Sequence, residues 1–311
     1  MRNFFSKSCL AGLLFFPLSL IADNLEEALS LAYSNNPTIK AERSNLRSLD
    51  EMVSSASSML YPSINISSSY GESSINYGDL DELTFHPQIS SIEAKQIFFS
   101  GGRLINNRLK AVNAVKAGRA NLRIIEQDTL FAAADVFFSV LKSQKIVELM
   151  KSNFDILSER LIVTKIQFEV GELTLTDVAQ SEARLALAQA NLSESRSNLE
   201  ISKANYKAII GTEPNNLSDY NRPIILPESA DDATLIAQDN SPFLKFAERK
   251  EKSSRYGLAS TKSMLSPVFS IQGEYSYSKE VFLRKDDSDS YQVTGSVSMP
   301  IFTGGLNWSN I

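Results

Sequence analysis

Only one cysteine, one histidine and one tryptophan occur in the 311 residues. Cys9 stands near the N-terminus, so the chain has no internal disulfide, and once that segment is removed it has no thiol chemistry. His86, in Phe85-His86-Pro87, has no second histidine or cysteine with which to build a metal cluster, and a lone histidine at a loop edge is ordinarily a solvated one. The glycine pairs Gly101-Gly102 and Gly304-Gly305 lack dinucleotide and phosphate-loop spacing and read as tight strand-to-helix turns. No catalytic constellation, cofactor site or metal site is therefore expected, and no enzyme. Basic residues are also scarce, 31 against 36 acidic, which argues against a nucleic-acid partner.

Long apolar runs are equally rare. The one present, LAGLLFFPLSLIA over 10–22, follows Arg2 and Lys7 and precedes the first acid, Asp23. It is too short to span a bilayer and has the layout of a secretory signal peptide over 1–22, cleaved near Ala22. Removing Arg2 and Lys7 with it leaves 29 basic residues against 36 acidic, a net charge of −7.

Heptads are what the chain has in abundance. Val178, Leu185, Leu192, Leu199 and Tyr206 fall seven apart, with Ser181, Ala188, Ser195, Ser202 and Ile209 in the companion register three later. A sustained seven-residue repeat with small companions predicts a closely packed coiled-coil helix over 174–210. Phe154, Leu157, Leu161, Thr164 and Phe168 step by threes and fours into the turn before it, so the two helices make a hairpin. Its tip, FEVGELTLTDVAQ, carries Val170 and Gly171 at a left-handed helix end and Glu172 after it. Thr174 with Asp177 forms a capping box, and Leu173 before the cap is placed to staple onto Val178. A third stripe, Ile39, Leu46, Leu49, Val53, Ala56 and Leu60, predicts another coiled-coil helix after the break at Pro37.

At Pro62 the period changes from 3.5 to 2. Ile64, Ile66 and Tyr70 alternate with Asn65, Ser67 and Ser69; a polar loop (GESSINYGDLDEL) leads into a second extended run, PQISSIEAKQIFF. The pattern returns 205 residues later: Ala28, Ala32, Asn35, Pro37, Pro62, Ile66 and Tyr70 map onto Ala233, Ala237, Asn240, Pro242, Pro267, Ile271 and Tyr275. In the second copy Phe269, Ile271, Tyr275 and Tyr277 alternate with polar residues including Gln272 and Glu274. Val293 and Val297 then alternate with Gln292, Thr294 and Ser296. Strands of about ten residues with one apolar and one polar face fit a transmembrane β-barrel between lipid and an aqueous lumen. The organisation expected is a first repeat over 23–210, with a β-hairpin at 62–100 and a helical-hairpin tip at 170–177. A linker follows over 211–232, then an incomplete second repeat over 233–311 with its β-hairpin at 267–303.

The residues LEEALSLAYSNNPTIKAERSNL, Tyr61-Pro62, FFSGG, FEVGELTLTDVAQSEARLALAQANL and Ile210-Gly211 resemble, in order and spacing, those of the TolC family of outer-membrane efflux and secretion channels. The resemblance implies a mainly helical fold with transmembrane β-hairpins. In it a homotrimer gives four strands per protomer to a twelve-stranded β-barrel in the Gram-negative outer membrane, above a periplasmic helical barrel. It implies a passive conduit for drugs, small molecules or secreted proteins, partnered by a periplasmic adaptor and an inner-membrane transporter. The adaptor would dock at the tip, here Val170, Gly171, Glu172, Leu173, Thr174 and Asp177, with Glu172 standing where an apolar residue is common. For Asp177 the capping role is the better explanation, ahead of a docking or gating role. The family's second tip hairpin would follow 311, so the sequence reads as a truncated or split member. A coiled-coil interaction protein of another class, a periplasmic adaptor or trimeric adhesin, and a non-functional truncated remnant are the alternatives.

Overall fold

The computed structural model describes residues 24–76, 83–215, 217–218, 220, 226–281 and 287–311. The expected signal segment 1–22 lies outside the described residues, as does part of the expected linker. Seven α-helices and six strands are described: α1 Leu25–Asn35, α2 Pro37–Ser58, β1 Ser63–Tyr70, β2 Ser73–Ile75, β3 Leu83–Phe85, β4 Gln88–Phe99, α3 Arg103–Glu169, α4 Leu175–Ile210, α5 Ala230–Asn240, α6 Pro242–Lys262, β5 Val268–Lys279, β6 Ser288–Ser298 and α7 Leu306–Ser309. The chain divides into two compact units, one of residues up to Lys40 with Glu126–Ile225, the other of Ala41–Ile125 with Leu226–Ile311.

In the first unit, α3 and α4 form the helical hairpin. The buried residues of α4 are Val178, Ala188, Leu192, Ser195, Ser202, Tyr206 and Ile210, so the heptad seam and its small companions are the face that packs. Two hydroxyl pairs bridge the hairpin, Ser143 Oγ to Ser202 Oγ at 3.0 Å and Ser181 Oγ donating to Thr164 Oγ1 at 3.4 Å. Lys165 pairs with Glu182 at 2.8 Å. Phe168, expected on the same stripe, is exposed, because the helix ends one residue later and no further turn of α4 remains to cover it. The core of this unit gathers Ala28, Leu31 and Ala32 of α1 with Ala133, Val136, Phe137 and Val140 of α3 and Tyr206 and Ile210 of α4. Each large side chain buried there contributes about 1.5–3 kcal/mol. Alanines at 28 and 32 let the α1 backbone come close to the hairpin.

In the second unit, α2 lies on α3 along its narrow stripe, with Leu46, Leu49, Val53 and Ala56 half-buried. Gly118 of α3 makes this contact possible: a Cβ there would stand 2.6 Å from Leu49 Cδ1 and 3.3 Å from Leu46 Cδ1. Asn121 donates to Glu42 at 2.9 Å and Arg108 to Ser57 at 3.2 Å, holding α2 in place. Ser260 Oγ to Asn107 Oδ1 at 2.7 Å and Ser253 Oγ to the Lys110 carbonyl at 3.0 Å do the same for α6.

Helix α2 begins with Pro37 itself. The residue before it, Asn36, turns to ψ 124° because the proline ring disfavours a helical predecessor, and its side chain accepts from Thr38 N at 2.8 Å. The second copy is broken at the matching proline in the same way: Ser241 has ψ 118°, Pro242 starts α6, and a short 3₁₀ turn over Ser263–Leu265 follows. The polar loop after β1 also differs from expectation. Ser73–Ile75 and Leu83–Phe85 pair as a separate two-stranded ladder, too short at three residues each for alternation to show in the sequence.

The main sheet has strand order β1-β4-β5-β6, every pair antiparallel, with β1 and β6 at the two edges. A register shift between Ile97 and Phe99 ends the β4 to β5 ladder, where the Phe99 and Phe269 rings meet edge to face with centroids 5.7 Å apart. Among the described residues no helix is long and apolar enough to cross a membrane.

Candidate functional site

Two places carry the residues singled out from the sequence, and each is built by its own local rules. At the hairpin tip, Gly171 adopts φ 81°, a left-handed conformation that a side chain would strain. Gly171 N donates to the Phe168 carbonyl at 3.0 Å and Glu172 N to the Gln167 carbonyl at 2.9 Å, the pair of bonds that closes a helix end on glycine. Two residues later, Thr174 is the N-cap of α4. Its Oγ1 accepts from Asp177 N at 3.3 Å, while Asp177 Oδ2 accepts from Thr174 N at 2.9 Å and from Thr174 Oγ1 at 2.7 Å. These bonds, the hydroxyl one foremost, hold the Asp177 carboxyl below the usual carboxylate range. The turn is thus fixed at both ends by backbone bonding.

The rigid turn presents a mixed surface. Val170 is 67% exposed, and Glu172 and Thr174 are also open to solvent. Leu173 is half-buried and Val178 is buried, the burial that a staple between them calls for. Leu175, 68% exposed at the first position of α4, joins Val170 on the tip. Its register, shared with Glu182, Gln189, Arg196 and Lys203, lies off the heptad seam, which is the sequence signal for its exposure.

The sheet is the second place. All nine residues expected to face lipid, Ile64, Ile66, Tyr70, Phe269, Ile271, Tyr275, Tyr277, Val293 and Val297, lie on one face, as the cross-strand register shows. Ile66 stands opposite Ile92, Ile92 opposite Tyr275 and Tyr275 opposite Tyr291; Ile64, Ala94, Gly273 and Val293 make the adjacent row. Phe269 faces Val297. The face is open, with Ile66 80% and Tyr291 85% exposed. Ile92 and Tyr291 complete the apolar rows although single-strand alternation did not pick them out. The serines that fall on this face, Ser68 and Ser90, satisfy one another at 2.9 Å.

The opposite face carries Asn65, Glu93, Glu274 and Gln292 in one row and Ser67, Ser91, Ser276 and Ser290 in the next. Two carboxylates directly opposite each other, Glu93 and Glu274, are tolerable only where water solvates them. Ile89 and Ile97, near the two ends of β4, and Val268 at the start of β5 are the apolar exceptions on it.

His86 is less isolated than its sequence context implied. Its ring stacks on Tyr70 with centroids 6.4 Å apart, its Nε2 lies 3.6 Å from Glu72 Oε2, and its backbone N–H donates to Glu280 at 3.4 Å. Among the described residues, no group of three or more histidine, cysteine, aspartate or glutamate side chains could hold a metal ion.

Comparison with known proteins gives a consistent answer. Residues 28–212 match the family described as "Outer membrane efflux protein". The outer membrane efflux protein BepC of Brucella suis is 27% identical over 304 residues, which cover 97% of this chain and 66% of BepC. The outer membrane protein TolC of Vibrio cholerae is 24% identical over 297 residues, covering 91% of this chain and 66% of TolC. The chain thus spans just under two thirds of the length of these relatives. Among solved structures, CusC superposes with a TM-score of 0.82 at 14% identity, covering 94% of this chain and 69% of CusC, which shows the same fold. More than half of the chain matches the family directly, and the chain belongs to the outer membrane efflux protein family, that of TolC.

Proposed function

We propose that this chain is the outer-membrane channel subunit of an efflux or type I secretion system. It would be a passive export conduit with no chemistry of its own, formed as a homotrimer in the Gram-negative outer membrane after removal of the N-terminal signal near Ala22. One observation carries the reading: a four-stranded sheet with an exposed apolar face, a polar face and two open edges. Three such sheets, joined β6 to β1, make a closed barrel of twelve strands with lipid outside and water within, and closure satisfies every edge N–H and carbonyl. The helices after the hairpin exit extend the conduit into the periplasm; at 1.5 Å per residue the 67 residues of α3 reach about 100 Å.

The tip is the docking surface for a periplasmic adaptor that links the channel to an inner-membrane transporter. Val170 and Leu175 supply apolar contact, Gly171 lets a partner approach the backbone, Glu172 adds charge, and Leu173, Thr174 and Asp177 fix the turn. The residues at 23–210, 211–232 and 233–311 act in this reading as first repeat, linker and second repeat.

Single cysteines test the barrel, in a background with Cys9 replaced. Cysteines at Ile66 and Val293 should resist a water-soluble maleimide in proteoliposomes and, when labelled with a fluorophore, be quenched by spin-labelled lipid. Cysteines at Ser67 and Gln272 should behave in the opposite way. Equal water accessibility of all four would overturn the reading.

A further inference from the structure

The chain is acidic, yet one groove of the second unit collects cations. Lys116, Arg119 and Arg123 fall on one exposed face of α3 at spacings of three and four, and Lys245 and Arg249 of α6 face them across a groove of about 310 Å³. Ala120, Asn240, Pro242 and Glu248 complete the lining, so five cations surround one carboxylate. Arg119 reaches Asp50 at 3.7 Å. Among the described residues Lys116, Arg123, Lys245 and Arg249 form no ion pair, whereas Lys165, Lys203, Lys207 and Arg255 each have one. Gathering unneutralised charge of one sign between two packed helices raises the local potential and works against the fold unless an anion relieves it.

The frame holding these side chains is fixed. Ser253 and Ser260 of α6 bond to α3 at Lys110 and Asn107, and Gly257 admits the Lys110 stem, whose Cδ would lie 3.6 Å from a Cβ there. At the other end the first turn of α6, capped by Ser241 and begun by Pro242, borders the groove and so sets the positive end of the helix beside it.

We propose that this groove binds a soluble oligoanion carrying two or more phosphate or carboxylate groups. A lipid headgroup is the less suitable source. Lys116 and Arg123 stand 13 and 20 residues past the start of α3 at the sheet exit, about 20–30 Å along the helix. The volume suits a small ligand, and arginine forks suit bidentate oxyanions.

The test uses the full chain in neutral-lipid nanodiscs, titrated calorimetrically with inorganic tripolyphosphate at low salt. Saturable binding that weakens as salt rises is expected. Arg123→Glu and Arg249→Glu should each weaken it by roughly tenfold or more, and the gentler Arg123→Gln and Arg249→Gln should weaken it less. Lys151→Glu, the same charge change on an exposed residue elsewhere on α3, should leave it unchanged. Equal loss in Lys151→Glu and Arg123→Glu, or no saturable binding at millimolar tripolyphosphate, would overturn the proposal. So would abolition of tripolyphosphate binding when phosphatidylglycerol is added to the discs, since a headgroup would then be the ligand. Far-ultraviolet circular dichroism identifies any variant that fails to fold, and the glutamine pair decides the matter in that case. None of these outcomes depends on channel activity.

Discussion

Two copies of one motif lie in this chain, and their backbones agree more closely than their surroundings. Asn24 caps α1 by accepting from Glu27 N at 2.9 Å, and Ser229, 205 residues on, caps α5 by accepting from Asp232 N at 3.1 Å. Asn36 and Ser241 end those helices with nearly the same dihedrals, each before a proline. Gly101 and Gly102 have φ 60° and 82°, Gly304 and Gly305 φ 60° and 86°. Packing tells the two apart. Ala28 and Ala32 are fully buried in the core of the first unit, whereas α5 has no buried residue and Leu235 and Ile236 are exposed. A Cβ on Gly101 would stand 2.3 Å from Ser266 Cβ, while one on Gly304 would meet nothing within 4 Å. Caps, prolines and glycines set the course of the backbone; burial depends on what each copy finds beside it.

The glycine pair should separate the copies most. Gly101→Ala carries both the left-handed strain, about 1–2 kcal/mol, and the collision with Ser266, for a combined loss of about 3 kcal/mol. Gly304→Ala should carry the strain alone. Urea unfolding followed by circular dichroism measures both, and equal losses would mean that the two exits share one environment. Next come the alanines. Ala32→Leu overfills the core and should cost about 1–3 kcal/mol, against less than about 0.5 kcal/mol for Ala237→Leu on its exposed helix. The caps should not separate the copies: Asn24→Ala and Ser229→Ala should each cost about 1 kcal/mol, and a large inequality would show that tertiary contacts hold one cap in place.

The smallest effect belongs to the cap of α4. Thr174 donates to the Asp177 carboxylate and so favours its charged form, which means the folded-state pKa lies below the unfolded one. The stabilisation is complete above about pH 4 and disappears as the pH falls through the lowered folded value. The stability difference between the natural chain and Asp177→Asn should therefore be constant near neutrality and shrink in strong acid. A difference that did not move with pH would remove Asp177's charge from the cap.

Much of this was readable in advance, and what was not has a common cause. The heptad seam, the Thr174 to Asp177 box, the two prolines and the strand alternation are local signals, each set by residues within about one heptad. Gly118 carries no such signal: inside a helix a glycine reads only as a weak point, and its purpose appears when Leu46 and Leu49 arrive from 70 residues away. Ile92 and Tyr291 likewise become part of the apolar face only through the register of strands distant in sequence. The groove between α3 and α6 leaves no local signal for the same reason. Its five cations are spread over 130 residues of a chain whose overall balance is acidic.

The open edges of the sheet also constrain the order of events during assembly. Strands β1 and β6 each leave one row of backbone donors and acceptors unmatched, and hydrocarbon offers nothing to match them. A solitary copy that entered a bilayer would pay for both rows at once, whereas copies that meet first cancel them pairwise. If the chain forms the trimeric barrel proposed above, insertion should therefore depend steeply on protein concentration and lag when the chain is dilute. The same rows, exposed in water beforehand, invite pairing with any other extended chain. On the trimeric reading proposed above, the interval before the copies pair is the one in which these edges are most open to mispairing.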